Sequence, residues 1–273
     1  MPTVEEVAAL ALAAVDTSAD RPIGIPQAGR WVEDRYRELV AKVRFRHLRR
    51  VAALDIPPAI ETGTLTAVAD SATLVADAAA VAAIAASGHT IVGYHVRIYT
   101  VWYEITAYVA PNITIATPFS ELPLNGVTTV QSGFKILPRF HDLDPSARWL
   151  GKFVYPKRRR ALQMRGAQDF DRTAPERMLT ADGPWFVAEA TNNATTRGKR
   201  VELYPYNTIE VTIYYTYWAI PAVFTLDTIL PQEVDAYVLR EGVLVDVYRY
   251  RMSQSINAGK VEEAGFWRRF AYP

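Results

Sequence analysis

Helical periodicity in this chain is confined almost wholly to its two ends, and that arrangement limits the fold more than any other feature of the sequence. Residues 4–15 place Val4, Val7, Ala8, Leu10, Ala11, Leu12, Ala14 and Val15 on a short helix, with Glu5 and Glu6 at its positive N-terminal end. A loop from Ser18 to Pro26 follows, with two prolines and a glycine. From Trp31 to Ala52 the stripe Val32, Tyr36, Leu39, Val40, Val43, His47 and Val51 predicts a second helix that Pro57-Pro58 stops. Its polar side changes sign along its length: Glu33 and Asp34 lead, and Arg44, Arg46, Arg49 and Arg50 form a basic end that either solvates the helix or meets an acidic partner or DNA.

At the other end, Leu230-Pro231 opens a long helix, and a last helix runs from about Asn257 to Ala271. The long helix carries two apolar stripes. Val234, Tyr237, Val238, Leu244, Val245, Tyr248 and Met252 form one; Leu239, Val243, Val247 and Tyr250 form the other. A helix apolar on two sides is buried on two sides, either by the rest of this chain or by a neighbouring subunit.

Between these ends the runs are of strand length. Thr64–Val68, Ala72–Val75, the set Ile91, Tyr94, Val96 and Ile98, the segment Trp102–Tyr108, and Ile113–Thr117 predict five short strands in a small barrel or sandwich. The alanine-rich run Ala78–Ala86 adds a helical turn or two at the rim. Strands continue to Thr225, punctuated by prolines. In Thr208–Trp218 the residues Ile209, Val211, Ile213, Tyr215 and Tyr217 alternate with more polar partners. The expected class is α+β, in three parts. Residues 1–58 and 229–273 form a helical bundle, 59–128 an inserted five-stranded module, and 129–228 an irregular antiparallel β-region.

Composition narrows the function classes. Half the residues are hydrophobic, enough for an ordinary core. Thirty basic residues against 29 acidic ones leave no basic excess of the kind that grips nucleic acid. There is no cysteine, which excludes disulfides, thiolate metal sites and cysteine nucleophiles. No apolar run reaches the length of a membrane span, and the acidic start is unlike a signal peptide, so a soluble protein from a reducing compartment is expected. Fifteen Tyr and six Trp supply side chains that are enriched at interfaces between proteins.

Chemistry-bearing patterns are sparse. His89 and His95, six apart, have no carboxylate pattern around them, and a structural histidine outweighs a metal ligand there. His141-Asp142-Leu143-Asp144 and Asp169-Phe170-Asp171 offer paired carboxylates, but beside prolines they read as turn and cap residues. No nucleophile elbow, phosphate loop or dinucleotide fingerprint is present. The run Lys157-Arg158-Arg159-Arg160 reads as a solvated loop, or as a contact for DNA phosphates or an acidic partner. The last ten residues hold Phe266, Trp267, Arg268, Arg269, Phe270 and Tyr272, a concentration of the residue types that dominate binding energy. Their alternative role is to close the subunit's own bundle.

Three stretches in this order resemble the head-to-tail adaptor (connector) proteins of tailed bacteriophages. The first is Trp31-Val32-Glu33-Asp34-Arg35-Tyr36-Arg37-Glu38-Leu39. The second runs from Gly63-Thr64-Leu65-Thr66-Ala67 through Trp102-Tyr103-Glu104-Ile105 to Leu137-Pro138-Arg139-Phe140. The third is Val201-Glu202-Leu203-Tyr204-Pro205, then Val211 to Tyr217, then Leu230-Pro231 and its helix. The bulky Tyr217-Trp218 and the alanine-rich rim depart from the family's pattern. The resemblance implies a virion protein of the neck, assembled in the host bacterial cytoplasm into a ring, twelve-fold to match the portal. It implies a bundle docked on the portal, a C-terminal segment reaching to it, a β-region facing the next tail component, and double-stranded DNA crossing the lumen. No enzyme activity, metal or cofactor is expected. Two rival readings are a tail-spike or receptor-binding module, using Trp102, Tyr103 and Glu104 on a sugar, and a hydrolase with two carboxylates in a cleft.

Overall fold

A computed structural model describes residues 1–15, 23–99, 101–120, 128–158, 160–166, 168–169, 172, 180–190, 198–207 and 209–272. Among them are five α-helices: α1 (Val4–Ala13), α2 (Ile25–Lys42), α3 (Ala78–Ala86), α4 (Ala236–Asn257) and α5 (Val261–Ala271). With several mostly antiparallel sheets they make an α+β fold. The chain divides into two compact units. One joins Met1–Arg49 to Trp218–Pro273, and the other is Arg50–Tyr217. The sequence placed these boundaries near 58 and 229.

The first unit is the helical bundle. Thr3 and Glu6 cap α1 reciprocally: the Thr3 hydroxyl accepts from the Glu6 amide, and the Glu6 carboxylate accepts from the Thr3 amide. Ala28, Val32, Tyr36 and Val40 on α2, Val4, Ala8 and Ala11 on α1, and Leu239, Val243 and Val247 on α4 share one buried core. Arg35 on α2 grips Asp246 on α4 with two hydrogen bonds, at 2.7 and 2.5 Å. Of the two apolar stripes on α4, one meets α1 and α2, and the C-terminal part of the other is covered by α5.

Three helix limits differ from the periodicity. The structure ends α2 at Lys42, ten residues early. Val43 is already extended, a 3-10 turn spans Arg46–Leu48, and strand β1 (Arg49–Ile56) follows. The Glu233 carboxylate accepts from the amides of Arg46 and His47, which withdraws the donors a continuing helix would need. Conversely, Ile25 and Pro26 belong to the first turn of α2 rather than to a loop, where proline's missing N–H costs nothing. The long helix starts at Ala236, not Pro231, because Asp235 supplies the cap by accepting from the Tyr237 amide.

The second unit is β-rich. Strands β2 (Leu65–Val68), β3 (Thr73–Ala76), β4 (His95–Ile98), β5 (Val101–Val109) and β6 (Asn112–Ile115) lie where the sequence put five strands. They are joined by β7 (Thr128–Gln131) and β8 (Lys135–Leu137), so the sheet has seven strands in the order β7-β2-β3-β6-β5-β4-β8. Every pairing is antiparallel and the sheet curls into a half-barrel. Leu65, Leu74, Val96, Ile105, Ile113 and Phe134 fill its inside together with Ala80 and Ile84 of α3.

Gly63 fixes the entry to this sheet. Its φ is +95°, and a Cβ there would lie 2.4 Å from the backbone nitrogen of Ala80. Beside it the Asp77 carboxylate caps α3 at the Ala80 amide and accepts the Thr64 hydroxyl.

The remaining strands are β9 (Phe140–Asp142), β10 (Ala147–Tyr155), β11 (Arg160–Ala161), β12 (Gln163–Arg165), β13 (Thr180–Ala181), β14 (Phe186–Ala190), β15 (Arg200–Tyr204), β16 (Tyr206–Asn207) and β17 (Val211–Ala219). They form sheets β1-β17-β10-β11, β12-β14-β15-β9 and β13-β16. In β17, Val211, Ile213, Tyr215 and Tyr217 point inward as their alternation predicts. This region is not purely antiparallel: β12 runs parallel to β14, and β13 to β16. Segment 166–185 is long enough for the crossover that parallel pairing needs.

Candidate interaction surfaces

Helix α5 turns back along α4 after Gly259, whose φ of +73° makes the reversal. Ala264 and Ala271 face the bundle, and Trp267 stacks on Tyr248 at 5.9 Å between ring centroids. Of the six C-terminal residues singled out, Trp267 therefore closes the subunit's own bundle. The others do not. Phe266 is 52 % exposed, Phe270 45 % and Tyr272 59 %, and Arg268 and Arg269 are exposed beside them. Phe270 lies tilted against Tyr248 and Phe266, at 5.3 Å to each, and Arg249 lies over the Tyr272 ring at 5.1 Å. The result is an open aromatic ledge with a cationic end, laid on a helix that one tryptophan anchors.

The basic end expected on the second helix is displaced by the early stop of α2. Arg44 lies just past the helix, over the Trp218 ring at 5.2 Å; Arg46 is in the 3-10 turn; Arg49 and Arg50 open β1. All four are exposed. They line a turn and a strand rather than one helix face. That turn is held by a relay the sequence gives no sign of. The Tyr36 hydroxyl meets His47 Nε2 at 2.7 Å, and His47 Nδ1 meets Glu233 at 3.2 Å. Burial, then the Glu233 charge, pushes the Tyr36 hydroxyl up to about 12, so it stays protonated as a structural strut. A tyrosine, a histidine and a glutamate this far apart in sequence follow no spacing rule.

Pro156–Arg158 make a 3-10 turn at the tip between β10 and β11, which pair at Tyr155 and Arg160. Lys157 and Arg160 are exposed there; the side chain of Arg158 and the whole of Arg159 lie outside the described residues. Next to the tip is a cleft of about 580 Å³, lined by Tyr155, Arg160, Leu162, Gln163, Trp185 and Phe186. No known family model matches this chain, and no curated protein sequence matches it.

Trp102, Tyr103 and Glu104 do not make a sugar platform. Tyr103 is in the half-barrel core, and Trp102 packs edge-on against Tyr206 at 5.3 Å. The Trp102 and Glu104 side of β4 and β5 instead borders a half-buried polar cluster. Glu202 accepts from Arg139 at 3.0 Å and from Tyr206 at 3.3 Å, Arg200 pairs with Asp142 at 2.8 Å, and His95 stands edge-on to Phe140. Desolvation, then the Arg139 and Arg200 charges, pushes His95 down to about 4; burial pushes His141 down to about 4 as well. Both imidazoles are neutral near pH 7. Asp144 binds the amide and hydroxyl of Ser146 as a turn residue, while Phe170 and Asp171 lie outside the described residues. Among the described residues, no group of three or more carboxylate or histidine side chains is placed to hold a metal.

Proposed function

We propose that this chain is a structural assembly protein, the head-to-tail adaptor of a tailed bacteriophage, forming a homo-oligomeric ring between portal and tail through which double-stranded DNA passes. The reading rests on the resemblance of its three sequence stretches, and the observation that carries it is the α5 ledge. Exposed Phe266, Phe270 and Tyr272 beside Arg268 and Arg269 are costly to leave in water, and they suit a partner with an apolar socket and acidic rim. The portal protein is that partner in this reading, and the near-neutral charge suits a lumen that must release DNA.

The test is binding of the purified chain to portal-bearing heads. Replacing Phe266 and Phe270 by Ala abolishes joining while the fold persists; wild-type joining by this variant rejects the ledge as the anchor. The rival, a receptor-binding module, is favoured by one feature, the Trp185–Phe186 cleft with its polar Gln163 and Arg160. A glycan that quenches tryptophan fluorescence in the wild type but not in Trp185→Ala would establish it.

A further inference from the structure

The half-barrel carries an outer surface that an isolated protein does not need. Its strand register aligns Val130, Thr66, Val75, Asn112 and Val109 in one row across β7, β2, β3, β6 and β5. All five point away from the core, and the three valines are 63, 42 and 75 % exposed respectively. The adjacent outward row, between Thr128 and Ala107, consists only of Thr, Val and Ala. Across five strands these two rows carry no charged side chain, although 59 of the 273 residues are charged; Glu104, exposed on the outward side of β5, lies beyond them. Solvent-facing sheet surfaces ordinarily carry charges, because an uncharged Val/Thr face invites pairing.

A second anomaly lies on the other side of the same sheet. Helix α3 buries Ala80 and Ile84 in the half-barrel, and its outward residues are Ala78, Ala79, Ala82, Ala85 and Ala86. A surface helix without one polar residue is equally out of place in water. The nearest acid, Asp77, is occupied as the helix cap. Each surface is what the other requires. A charged partner would lose its hydration over the Val/Thr face without gaining a counter-ion, whereas alanines let a helix approach a sheet closely.

We propose that the Val/Thr face of the half-barrel binds α3 of a second copy of this chain. Because the two surfaces are different and lie on opposite sides of the sheet, the contact is head-to-tail. Such a contact propagates to a closed ring or an open filament instead of stopping at a two-fold dimer. It is independent of the portal reading, since it needs no other protein.

The experiment is light scattering of the full chain on its own across a concentration series, with Val75→Lys on the sheet and Ala82→Glu on the helix. Circular dichroism checks that each is folded; Val109→Lys and Ala85→Glu replace either one that is not. The wild type associates, and each variant alone weakens association by at least about tenfold. Mixed together, the two variants form one-to-one pairs and nothing larger, since each supplies the surface the other has lost. A wild type that is monomeric throughout overturns the proposal. So does a helix variant that associates normally, or a mixture that stays monomeric. Failure here leaves the α5 ledge and its portal test unaffected.

Discussion

At the scale of single residues, the structure assigns energetic roles that sequence spacing does not expose. His95 and His141 have folded values of about 4 against about 6.5 for an exposed histidine. The unfolded chain therefore takes up these protons first. Stability from this source is complete above about pH 6.5 and falls as the pH drops towards 4, by about 1–3 kcal/mol per histidine. Denaturant titrations of the wild type and of the His95→Asn, His141→Asn double variant check this. The variant has the shallower pH slope between pH 6.5 and 4; equal slopes would show that the carboxylates alone set acid sensitivity. Gly63 gives a second prediction. Gly63→Ala forces a Cβ against the Ala80 backbone at positive φ and lowers stability by about 2–4 kcal/mol, read as a shifted unfolding midpoint. Both roles were closed to the sequence because they depend on what the fold brings near: His95 reads as any strand residue until Arg139 and Arg200 are beside it.

At the scale of elements, what periodicity specifies locally was legible and what distant groups decide was not. The alternation of Val211, Ile213, Tyr215 and Tyr217 identified β17 and its buried face, because a two-residue period is written in adjacent residues. The end of α2 was missed for the opposite reason. His47 and Val51 happen to continue its stripe, while the group that captures the Arg46 amide is Glu233, 187 residues later. Strands β7 and β8 were missed as members of the half-barrel because what places them there is pairing with β2 and β4, which no local pattern records. The α5 residues were singled out by type, and the structure divides them by exposure, with Trp267 stacked on Tyr248 and the others open to solvent. Trp267→Ala, which removes the stack on Tyr248, lowers stability by about 1–3 kcal/mol. Phe270→Ala costs less than about 1 kcal/mol, since half of that ring is already in water. Equal losses in thermal unfolding would mean that Phe270 also belongs to the bundle core.

At the scale of the whole molecule, each compact unit has its own hydrophobic core, and the chain passes between them at Arg49–Arg50 and Tyr217–Trp218. The composition already indicated large cores and interface-rich aromatics, but not that the division falls inside strands β1 and β17. We propose that this chain works by assembly, with α5 seating it on a portal and repeated contacts between copies closing a ring. Electron microscopy of the purified chain mixed with the portal of the same phage tests that most directly. The account predicts a closed ring of cyclic symmetry coaxial with the portal, present with the wild type and absent with the Phe266→Ala, Phe270→Ala variant. Bare portals beside dispersed, folded wild-type chains would contradict it.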